Sequence, residues 1–169
     1  IGMAKLPKEY QFLDLSDYGR TGGRWIAKQL KNTCFTPIHV TTLFIFAGLI
    51  AIGCMLNGYY KIAALFIILK SILDAADGEL SRLKNTPSYT GRYYDSIADI
   101  ILNFCFLLAF WHITDSSIIY MLIAFFGIQL QGTVYNYYYV ILRNAVEGDS
   151  TSRIFEDAAP KALKGESQR

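Results

Sequence analysis

Apolar residues in this chain gather into four long runs separated by short polar breaks. The first, 38–56, holds one titratable residue, His39, at its rim; the second, 60–80, is apolar through Leu73 and then turns polar at Asp74 and Asp77. The third, 91–111, reverses that order, with Asp95 and Asp99 ahead of an apolar stretch reaching Trp111, and the fourth covers 118–142. A bilayer span needs about 20 mostly apolar residues, and the helix is the open-ended structure that satisfies its own backbone in lipid. All four runs are read as membrane helices. The short breaks at Asn57–Tyr59 and His112–Ser117 make consecutive helices antiparallel neighbours.

Ahead of the first run, 17–32 has a different period. Arg20, Arg24, Lys28 and Lys31 recur at helical steps on one face, with Trp25, Ile26 and Leu30 offering an apolar side. A basic amphipathic helix with a Trp suits the membrane interface and anionic head groups, although Gly19, Gly22 and Gly23 weaken helix propensity at its front end. The stretch 147–169 is polar, holds Gly, Pro and Ser, and reads as a cytoplasmic loop or tail. The expected fold is all-α: one polytopic membrane helix bundle over 1–169 with an N-terminal interfacial amphipathic helix.

Composition agrees. Of 169 residues, 53% are hydrophobic and only 18% charged, which excludes an ordinary soluble domain. No apolar h-region occurs in the first 30 residues, so no signal peptide is expected. Cys34, Cys54 and Cys105 lack metal-ligand spacing and read as small hydrophobes. On this topology 14 of the 16 Lys and Arg fall on one side, with Lys61 opposite and Lys70 inside the second run. That bias puts both termini and the loop between the second and third runs in the cytoplasm. No nucleic-acid partner is expected.

The chemistry lies at the polar ends of the second and third runs. Asp74 and Asp77 are three apart and share a face; Asp95 and Asp99 are four apart and share another. The short loop between them gathers the four carboxylates near the cytoplasmic surface. Carboxylates at that depth are costly unless paired or metal-bound. Two hard divalent cations, Mg²⁺ or Mn²⁺, suit oxygen ligands, remove the mutual repulsion, and can hold a pyrophosphate while stabilising a leaving oxygen. Gly78 permits close approach, and Arg82, one turn on, is placed to grip a phosphate. Lys70 stands one turn before Asp74, in pairing range, and reads as structural rather than catalytic. His39, His112 and the tyrosines Tyr135, Tyr137, Tyr138 and Tyr139 read as structural or interfacial; Gln129, Gln131 and Asn136 are expected to face other helices.

Together these residues resemble the motif of the CDP-alcohol phosphotransferase family, D-x2-D-G-x2-A-R-x8-G-x3-D-x3-D. Asp74, Asp77, Gly78, Arg82, Gly91, Asp95 and Asp99 fall in register, and Ser81 stands where the family usually has Ala. Seven such matches would coincide by chance about once in 10⁹ starts at ordinary residue frequencies. Thr36-Pro37 resembles the step that commonly opens the family's first span, with Ile38 in place of the frequent Asn. Members look like six-helix bundles, so these four spans match the front two-thirds of the fold, with the last two helices expected outside this chain.

The resemblance implies a CDP-alcohol phosphatidyltransferase of phospholipid biosynthesis, releasing CMP. Asp74, Asp77 and Asp95 would bind two divalent metals, with Asp99 near the second and acting as general base. Gly78, Arg82, Ser88 and Gly91 would hold the CDP donor, and Arg143 a phosphate on the acceptor. The partners implied are a CDP-alcohol lipid donor such as CDP-diacylglycerol, a small alcohol acceptor, the bilayer and a second copy in a homodimer. The expected location is a bacterial plasma membrane, with the active site facing the cytoplasm. Two other readings fit less. A metal-dependent membrane prenyltransferase calls for a second Asp-rich motif more than about 100 residues on, which this sequence lacks. A carboxylate-lined ion transporter leaves Gly78, Arg82 and Gly91 unexplained.

The charge bias makes a test. In a background free of native cysteines, Ser88→Cys should react with impermeant thiol reagents only from the cytoplasmic side; labelling from outside intact cells would overturn the orientation.

Overall fold

The computed structural model describes residues 18–86 and 88–146; the stretch 147–169, read as a loop or tail, and the first residue of the surface helix lie outside them. Among the described residues all regular structure is helical: α1 Gly19–Leu30, α2 Pro37–Leu56, α3 Tyr60–Lys84, α4 Tyr89–Thr114 and α5 Ile118–Ala145.

Capping chemistry, rather than the edge of each apolar run, sets the ends. Thr36 caps α2: its hydroxyl accepts from the His39 amide at 3.4 Å, while His39 Nδ1 accepts from the Thr36 amide at 3.1 Å, and Pro37 opens the helix. His39 therefore has a structural task. α3 runs past Gly78 to Lys84, beyond the 80 that polarity alone marks, and stops where Asn85 turns left-handed at φ 51°. Ser88 caps α4, its Oγ accepting from the Gly91 amide at 3.0 Å, so that helix begins two residues before Gly91. α5 extends through Ala145.

α2 is the spine. Val40 packs with Ala27, Ala76 and Leu80; Phe44 with Ala98 and Leu102; Met55 with Ala63 and Ala109. α3 and α4 both lean on α2 and scarcely touch each other, whereas the sequence pattern makes them direct neighbours. The aspartate-bearing ends thus face each other across a gap that α2 closes from behind. α5 packs chiefly on α4, with Phe104 and Phe125 edge to face at 5.1 Å.

α2, α4 and α5 are long and apolar enough to cross a membrane. From Lys70 onward α3 also carries Asp74, Asp77, Glu79, Arg82 and Lys84, which sets it apart from those three. Large apolar side chains point outward along α5, with Phe126 66% and Leu130 67% exposed, as suits a surface covered by lipid. Gln131 and Asn136 are exposed there too, so among the described residues they do not meet the helices expected to cover them.

α1 docks through small residues. Gly19, Gly23 and Ala27, four apart, form its buried stripe, while Trp25 is 66% exposed and Arg24, Lys28 and Lys31 face outward. The glycines that weaken α1 as an isolated helix are its contact with α3. A Cβ on Gly23 would stand 2.9 Å from the Ala75 carbonyl carbon and from the Ala76 nitrogen, so backbone would have to move.

Gly23→Ala should therefore destabilise the docked helix by about 1–3 kcal/mol, read as lowered thermal stability in detergent. Gly53→Ala, where a Cβ meets nothing within 4 Å, is the control and should hold or gain stability. Equal stability of the two variants would sink this account of the α1–α3 contact.

Candidate functional site

α3 brings Asp74 and Asp77 to its inner face, and α4 brings Asp95 from across the gap. One oxygen from each of these three carboxylates lies within 4.8 Å of the others. Asp74 is exposed, Asp77 is 7% exposed, and Asp95 lies between. The donor set is all hard oxygen, the chemistry that suits Mg²⁺ or Mn²⁺. Asp95 Oδ1 is buried and accepts no hydrogen bond. A buried carboxylate oxygen left open in this way fits a metal-ligand atom.

Asp99 stands apart from that group. Its Oδ1 accepts from Lys70 Nζ on α3, and its Oδ2 accepts from Asn103 Nδ2, one turn further along α4, at 3.0 Å. Lys70, which the spacing puts beside Asp74, reaches across to α4.

Three residues around the carboxylates carry no motif signal. Thr41 donates its hydroxyl to Asp77 Oδ2 at 2.7 Å inside the core. Its other contact, the Pro37 carbonyl at 3.1 Å, is the longer and uncharged alternative for the same proton. Glu79 Oε1 forms an ion pair with Arg82 at 3.3 Å and accepts from Arg24 of α1 at 3.4 Å, tying the motif arginine to the surface helix. Asn103 completes the set. A hydroxyl four residues into an apolar span is the only trace of Thr41 in the sequence, and it is no different from that of Thr42.

The remaining sequence candidates are placed as follows. A Cβ on Gly78 would meet only the Arg82 guanidinium, at 3.7 Å, so nothing in the packing requires glycine there. Gly91 likewise has room, its nearest neighbour being Ser88 at 3.5 Å. Ser88 serves as the α4 cap. Arg143 is 6% exposed, with its guanidinium 5.9 Å from the Tyr139 ring, which in turn stacks on Tyr135. It is a buried group, not a cation spread on the membrane surface.

The Thr41 contact makes a prediction. Residues that orient metal ligands typically contribute about 10–100-fold in metal affinity. Thr41→Val keeps the shape and removes the donor, so Mn²⁺ affinity measured by calorimetry should fall by about that factor. Unchanged affinity would show that Asp77 needs no orienting partner.

The family model for CDP-alcohol phosphatidyltransferases matches residues 34–153, which take in α2 to α5 and all seven motif positions. No curated protein matches the chain. The matched region covers more than half of the chain, and three of its helices are long and apolar enough to span a bilayer. This membrane protein therefore belongs to the CDP-alcohol phosphatidyltransferase family, enzymes that transfer substituted phosphate groups.

Proposed function

We propose that this protein transfers a phosphatidyl group from CDP-diacylglycerol to a small alcohol and releases CMP, as a step of phospholipid synthesis. The observation that carries the reading is the division of the motif aspartates: three converge within 4.8 Å, while Asp99 is held one turn further along α4 by Lys70 and Asn103. Asp74, Asp77 and Asp95 would hold two Mg²⁺ or Mn²⁺ ions, with Asp99 beside the second. Bound there, the ions would neutralise the carboxylates and polarise the donor phosphorus.

The chain's own side chains account for the rest. Arg82, braced by Glu79, binds donor phosphate, and the open space at Gly78 admits the nucleotide without displacing protein. Ser88 and Gly91 add donor contacts at the α4 N-terminus, an end that favours anions. Asp99 takes the proton of the acceptor hydroxyl as its oxygen bonds to the phosphatidyl phosphorus. The phosphoanhydride bond breaks, and its electron pair leaves on CMP. Arg143 receives a phosphate where the acceptor carries one. The bias of basic residues supports an active site on the cytoplasmic side. A homodimer in a bacterial plasma membrane completes the proposal and rests on the family resemblance.

The test is CMP release from labelled CDP-diacylglycerol with glycerol phosphate, inositol, inositol phosphate or serine as acceptor. Turnover should need both substrates, stop on chelation and return with Mg²⁺ or Mn²⁺; full activity in excess chelator would rule the mechanism out. Asp99→Asn should lose about 10²–10⁴-fold in turnover with donor binding largely kept, whereas Asp74→Asn should lose donor binding as well. Equal loss of donor binding in both would make Asp99 chiefly a metal ligand.

A further inference from the structure

The ammonium of Lys70 sits deep in the helix bundle. Its side chain is 12% exposed, against 42% for Asp99, and its Nζ lies 5.2 Å from the ring centroid of fully buried Phe44. An ammonium at this depth is costly without a counter-charge, and Asp99 supplies one. The geometry does more than balance charge. Lys70 takes Oδ1 from α3 and Asn103 takes Oδ2 from α4, so two donors on separate helices fix both oxygens of one carboxylate. A single tether would leave that group free to turn about its own bond. With both in place, each oxygen keeps a lone pair beyond its tether, and the Asp99 side chain is 42% exposed. The same tethers keep the carboxylate away from the three-oxygen group one turn back.

We infer that Lys70 and Asn103 are positioning residues: they hold the Asp99 carboxylate out of the metal group and aim its free lone pairs at the acceptor hydroxyl. The inference rests on the proposed role of Asp99 as base. The face of the Phe44 ring lies against the same ammonium. Neither residue touches substrate. Both act through Asp99, so their effects should vanish once Asp99 can no longer take a proton.

The experiment is a double-mutant cycle on the full chain in mixed micelles, with CDP-diacylglycerol, Mg²⁺ and whichever acceptor of the four above supports CMP release. Lys70→Met keeps the length and apolar stem of the side chain. It should lower kcat by about 10–100-fold, the scale on which misplacing a catalytic group costs rate, with affinity for CDP-diacylglycerol unchanged within about twofold. Asn103→Ala should lower kcat in the same direction. Adding either change to Asp99→Asn should cost no further turnover. Unchanged kcat in Lys70→Met would overturn the inference, as would a loss of donor affinity equal to the loss of kcat, or additive losses in the double variants. Should Lys70→Met fail to accumulate, the Asn103→Ala arm of the cycle decides by the same criteria. Full turnover in Asp99→Asn alone would instead sink the base assignment itself, so the two failures are told apart.

Discussion

Three carboxylates whose oxygens lie within 4.8 Å of one another repel by a few kcal/mol per pair at an effective dielectric near 20, less where Asp74 meets solvent. The rest of the architecture answers to that repulsion. α3 and α4 carry the charges and hardly touch, so their mutual contact cannot hold the group closed. Each is instead fixed to α2, whose Val40, Phe44 and Met55 anchor three separate apolar clusters. The hydrophobic packing behind the gap does the mechanical task, and the gap stays open where charge gathers.

Compensating charge is arranged around the group. Lys70 neutralises Asp99, and Arg82 and Arg24 share Glu79. Lys84 reaches back to the Thr33 and Phe35 carbonyls, closing the turn between α1 and α2 at 2.7 and 2.6 Å. Every one of these links runs from α3 to another element or along α3 itself. α1 is part of this network, since its small-residue stripe brings Arg24 within reach of Glu79. The surface helix thereby bears on the orientation of the motif arginine.

How much of this the sequence reveals follows from the physics of each signal. The helical fold is legible because apolar runs of span length have few other solutions in lipid, and the motif aspartates are legible because charge at that depth is rare. Helix ends were shifted by caps at Thr36, Ser88 and Asn85, which polarity does not register. The polar positions Gln131 and Asn136 announce a need for protein cover without naming the helix that provides it. Gly19 and Gly23 mislead when read by propensity, since their value lies in how close α3 can come. Thr41, Glu79 and Asn103 escape altogether. Each is an ordinary polar residue whose role depends on what another helix places opposite, and no periodicity carries that information.

One turn of helix separates successive polar side chains on α4. Asp95, Asp99 and Asn103 are spaced by four residues, so each stands about 6 Å further along the axis on nearly the same face. Asp99 lies outside the group that Asp74, Asp77 and Asp95 form, with its two oxygens held by Lys70 and Asn103. On α3 the same interval puts Lys70 one turn from Asp74, at the level where Asp99 needs a counter-charge. Two helices with a four-residue repeat, held apart by a third, thus separate a cluster that wants cations from a carboxylate that already has one.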